Sequence, residues 1–129
     1  MIPPLEKLLD AHAYLKRRFR WRRPLDVVGV EEALREAAAL AHGRPEDEPA
    51  ALLFALTRRP NDLTDAWDQL PLVLVENLLR EQLGVEVRLD PADLALRALR
   101  MRVLARDPAK RATFEDLRAF LASRLAAQR

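Results

Sequence analysis

The stretch that most restricts the fold is Ala50-Ala51-Leu52-Leu53-Phe54-Ala55-Leu56-Thr57, a run without one charged side chain. Asp47-Glu48-Pro49 stands before it and Pro60 follows shortly after. Acids suit the positive end of a helix dipole, and proline is tolerated in a first turn. A proline beyond the run disfavours helical backbone in the residue before it. The pattern therefore predicts a short helix over 50–57 with no polar face. Such a helix has to sit centrally, because every side of it needs cover from water.

The flanking sequence supplies that cover. Leu5, Leu8, Leu9, His12, Leu15 and Phe19 recur at three- and four-residue steps after Pro3-Pro4, which predicts an amphipathic helix over about 4–20. Trp21 to Gly29 contains Pro24 and no helical stripe, and reads as a loop. A second helix is expected over about 31–41, with Glu31 and Glu32 in its first turn and Gly43 placed for a left-handed cap. Past the central helix, a stretch rich in turn and capping residues leads into a helix that starts at Asp65 or at Leu70 and ends at Leu83-Gly84. Pro71 fits the later start and would kink the earlier one.

Val85 to Leu89 alternates with period two but has no evident partner strand, so it reads as an extended connector. Asp90-Pro91-Ala92-Asp93 opens a fifth helix to about Arg106, with Asp90 as the cap candidate and Pro91 in the first position. Thr113-Phe114-Glu115-Asp116 opens a sixth, whose buried stripe is Phe114, Leu117, Phe120, Leu121 and Leu125. The expectation is an all-α fold: one compact bundle of about six helices over 1–129, with at most one short extended segment.

Composition narrows the function classes. Half apolar and a third charged over 129 residues is a globular balance at single-domain length. The absence of cysteine excludes disulfide scaffolds, thiol nucleophiles and cysteine-bound metals, and fits a cytoplasmic setting. No signal-peptide pattern stands at the start, and no uncharged apolar run approaches the roughly 18 residues of a membrane span, so no membrane partner is expected. Two histidines and one serine leave few bases or nucleophiles.

His12, on the apolar stripe, reads as a packed core residue, and His42 as a dipole partner at a helix end. The three glycines stand singly as turn or cap residues, against a P-loop or Rossmann site. Nine prolines with few Asn, Gln and Met suggest a thermostable protein, although nineteen Arg against three Lys equally fit a GC-rich coding bias.

Net charge is +2, yet residues 1–23 hold seven Lys/Arg against two acids. Lys16, Arg17, Arg18, Arg20, Arg22 and Arg23, with Phe19 and Trp21 between them, have the composition of a surface that binds phosphate backbones and stacks bases. The plainer reading is a solvated helix end with Phe19 in the core and the acids of residues 46–48 as partners. Asp62, Asp65 and Asp68 recur at three-residue steps, which reads as helix capping before it reads as a cation site. Trp67 among them is an interface-anchor candidate or a packed residue.

Taken in order, several of these elements resemble the Fic/Doc (death-on-curing-like) family. The residues that carry the likeness are Leu9-Asp10-Ala11-His12, the Pro24 to Gly29 loop with Asp26, Glu32-Ala33-Leu34, and Glu48-Pro49-Ala50-Ala51-Leu52-Leu53-Phe54-Ala55-Leu56. The turn Leu83-Gly84-Val85 and the two helices after it occupy the places of the family's tail. The resemblance implies a helical domain whose signature motif lies between the central helix and the next. In that family the motif's histidine is the general base, its acid holds Mg²⁺, and its Asn and Arg grip nucleotide phosphates.

Here Arg59-Pro60-Asn61 stands where the family has His-Pro-Phe, and Asp65-Ala66-Trp67-Asp68-Gln69 where it has Asp-Gly/Ala-Asn-Lys-Arg. Only Asp65 and Ala66 match. An arginine stays protonated and is no base, Asp68 repels phosphate, and Gln69 cannot pair with it. The degenerate motif thus implies neither catalysis, nor a cofactor, nor a metal ion. The expectation is an inactive Fic/Doc-like bacterial protein, regulatory or toxin-derived, that binds a protein partner, antitoxin-like or a second copy of itself. The alternative is a nucleic-acid-associated protein using Lys16 to Arg23. An active protein modifier transferring AMP or phosphate needs a base that the motif position lacks.

Overall fold

Aspartates start two of the helices. Asp26 Oδ1 accepts the Gly29 amide at 3.0 Å, so the helix that sequence periodicity places from Glu31 begins four residues earlier, at Val27. Asp93 Oδ1 accepts the amides of Ala95 and Leu96 at 2.9 and 3.4 Å. Asp90 instead closes the preceding turn on Ala92 at 2.8 Å, so the cap of the fifth helix is three residues later than the first candidate. That helix also ends at Val103, short of Arg106.

The computed structural model describes residues 1–20, 24–59, 69–84 and 86–127. Its helices are α1 (Leu5–Phe19), α2 (Val27–Ala41), α3 (Glu48–Thr57), α4 (Leu70–Leu83), α5 (Leu94–Val103) and α6 (Phe114–Ala127), with 3₁₀ turns at Pro45–Asp47 and Pro108–Lys110. Among the described residues there is no strand, and residues 86–90 run as a connector. The architecture is an all-α bundle.

α3 occupies the centre, as its composition requires. It packs against α2, α4, α5 and α6, while α1 lies against α4 and α2. Leu52, Leu53 and Leu56 have no accessible surface, and burying each leucine side chain is worth about 2 kcal/mol. Around them, Leu8, Val30, Ala33, Leu70, Val75, Leu96 and Leu117 draw all the other helices into one core. Proline in the first turn of α4, at Pro71, fits the later of its two expected starts.

Helix ends differ from expectation in two places. His42 takes the left-handed conformation at the end of α2 with φ of 52°, and Gly43 follows it at 77°. On α1 the apolar stripe is narrower than its spacing suggests: Leu8, His12 and Leu15 are buried, but Leu9 and Phe19 are exposed.

At the start of α6, the Thr113 amide donates to Asp116 Oδ2 at 2.8 Å and the Asp116 amide donates to Thr113 Oγ1 at 3.3 Å. This reciprocal box satisfies two end groups of the helix. The Thr113 amide holds the Asp116 carboxyl below its ordinary pKa.

Candidate functional site

α1 ends in a concentration of cations because cations suit the negative end of a helix. Lys16, Arg17 and Arg18 form its last turn, and Arg20, at φ of 55°, terminates it with its amide on the Lys16 carbonyl. Tyr14 and Phe19 are 52% and 45% exposed on the same stretch. Arg18 links the two rings: Nη1 donates to the Tyr14 hydroxyl at 3.2 Å, and the guanidinium lies 5.6 Å from the Phe19 centroid.

The solvated helix end of the plainer reading stands, since Lys16, Arg17 and Arg18 form the last turn, but two of its details do not. Phe19, the last residue of α1, is exposed and not in the core. The acids expected to neutralise the cations are engaged elsewhere: Asp47 with Arg44 at 3.7 Å and Arg118 at 3.0 Å, Glu48 with the N-terminal ammonium at 2.7 Å. Among the described residues Lys16, Arg17, Arg18 and Arg20 have no carboxylate partner. Trp21, Arg22 and Arg23 lie outside the described residues.

Of the degenerate motif, Arg59 and Gln69 are described. Arg59 leaves the end of α3 and reaches back to α2, where Nη1 meets Glu32 Oε2 at 3.0 Å and Nη2 meets Glu36 Oε2 at 3.9 Å. Arg58 also pairs with Glu36. Arg59 is thus a cation held by two carboxylates of α2. Asn61, Asp65, Ala66, Trp67 and Asp68, together with Asp62, lie outside the described residues.

Gln69 sits half-buried at the start of α4. It lines a groove of about 400 Å³ together with Tyr14, Arg18 and Phe19, over an apolar floor that includes Leu72 and Val73. Two stretches far apart in sequence, the basic end of α1 and the last residue of the motif region, therefore share one surface. Sequence reasoning missed Tyr14 here, although its four-residue spacing from Arg18 is the signal of a same-face pair.

His12 is buried on α1. Burial first, and then the charge of Lys16, lower its pKa from 6.5. Among the described residues no group of three His, Asp or Glu could hold a metal ion, and no helix is long and apolar enough to cross a membrane. No family model, no curated protein and no solved structure matches the chain.

Proposed function

We propose that the protein acts by binding a protein partner, antitoxin-like or a second copy, as a Fic/Doc-like domain without transferase chemistry in a bacterial cytoplasm. One observation carries this reading: Arg59, at the motif histidine's position, is held by Glu32 and Glu36. A guanidinium in that setting takes no proton from a target hydroxyl. The exposed Tyr14 and Phe19 beside the groove supply the aromatic surface that protein interfaces favour. Incubation with Mg²⁺ and ATP labelled at either the α or the γ phosphate tests the reading. No label should pass to the protein or to added acceptor proteins, and transfer that Asp65→Ala abolishes would overturn it.

A second reading, association with nucleic acid, is favoured by the cations of α1, which have no carboxylate partner among the described residues. It predicts binding of a labelled single-stranded oligonucleotide whose affinity falls steeply with salt. Replacing Arg17, Arg18 and Arg20 by Gln would then lower the salt slope by about two. A flat salt dependence of the wild-type protein excludes it.

A further inference from the structure

A second cleft, of about 620 Å³, opens between α3 and the segment joining α5 to α6. Two aromatic rings line it. Phe54 of α3 and Phe114 of α6 meet edge to face, with centroids 6.4 Å apart and planes at 61°. Leu40 and Val103 extend the apolar lining. Among the described residues its charged groups are the guanidiniums of Arg58, Arg106 and Arg111, and no carboxylate lines it.

These three arginines are held in different ways. Arg111 is oriented by the loop itself, with Nε donating to the Ala105 carbonyl at 2.9 Å and Nη2 to the Arg106 carbonyl at 3.1 Å. Arg58 lies 5.4 Å over the Phe54 ring while paired with Glu36. Arg106 is exposed and has no carboxylate partner among the described residues. The segment carrying Arg106 and Arg111 is tied down by the Ala112 amide, which donates to the Arg102 carbonyl at 3.0 Å.

We propose that this cleft binds a small planar anion, with an aromatic body against Phe54 and Phe114 and a carboxylate or phosphate group on Arg106 and Arg111. An apolar, aromatic lining with a few convergent polar groups is the composition of small-molecule sites. Aromatic rings accept a further ring edge-on or offset, and guanidinium forks match carboxylate and phosphate oxygens in pairs. A guanidinium already fixed by two carbonyls gives up little conformational freedom when a ligand arrives. The site is separate from the groove at α1 and does not rest on the partner-binding reading.

The test is a titration followed by nuclear magnetic resonance, using 1-naphthoate, 1-naphthyl phosphate and the uncharged 1-naphthalenemethanol. The anions should shift the ring resonances of Phe54 and Phe114 and bind roughly tenfold more tightly than the alcohol. The tighter anion tells whether the site takes carboxylate or phosphate. Arg106→Gln, which removes an exposed side chain, should weaken the anions roughly threefold to tenfold and leave the alcohol unchanged. Arg97→Gln, exposed and outside the cleft, controls for net charge and should change nothing. Equal binding of alcohol and anions, shifts away from the two rings, or an Arg106→Gln variant that binds like wild type would each overturn the proposal.

Discussion

Arg59 Nη1 lies 3.0 Å from Glu32 Oε2, and this pair ties the exit of α3 to the first half of α2. Arg59 is only 29% exposed, so the interaction is partly shielded from water. Arg59→Ala should cost about 1 kcal/mol in urea unfolding, and a double-mutant cycle with Glu32→Ala should show that much of the cost is shared. Arg59→His should gain no nucleotide-transfer activity, because one histidine brings with it neither a phosphate grip nor its geometry.

Leu53, with no accessible surface on α3, is the place to test the central helix. Leu53→Ala should lose about 2–5 kcal/mol of stability, since it removes buried methyl groups and leaves a cavity. Leu94, 79% exposed on α5, should tolerate the same change within about 0.5 kcal/mol. Equal losses at both positions would contradict the central placement of α3.

Two aspartates three residues apart give opposite expectations at α5. Asp93 caps the helix and also holds Arg124 of α6 at 2.7 Å. Asp93→Ala should therefore cost about 1–2 kcal/mol, while Asp90→Ala, which loses a single turn contact, should cost less than half as much. Chemical denaturation of the two variants side by side decides the matter.

His12 makes stability depend on pH. Its pKa is lowered in the folded state by burial and by Lys16, so between that value and its ordinary 6.5 the unfolded chain binds the proton more readily. The stabilisation is complete above 6.5 and is lost as pH falls through the depressed folded value. Thermal unfolding of wild type and His12→Leu should accordingly diverge, with the variant losing less stability on going from neutral to mildly acid buffer.

Local signals carried most of the fold. The uncharged run at 50–57 pointed to a central helix before any contact was known, and the Thr113 and Asp116 spacing marked a capping box at the start of α6. The start of α2 was hidden because Val27, Val28 and Gly29 are weak helix formers, and the Asp26 cap outweighs them. Asp90 and Asp93 were equally plausible caps by residue type, and it is the turn at Asp90–Ala92 that leaves Asp93 facing the first amides of α5. At the candidate site, the cations of α1 were plain in the sequence. Their lack of carboxylate partners among the described residues, and the groove that Gln69 shares with Tyr14 and Phe19, depend on chain crossings that no local pattern encodes.

The position of α3 sets a problem of timing during synthesis. It leaves the ribosome after α1 and α2 but before α4 and α6, which cover much of its surface. At ordinary elongation rates the gap lasts on the order of seconds. For that interval α2 is the packing partner already made for a helix with no polar face, and a chain stalled before Leu70 would be sticky enough to engage chaperones or its own neighbours on the polysome.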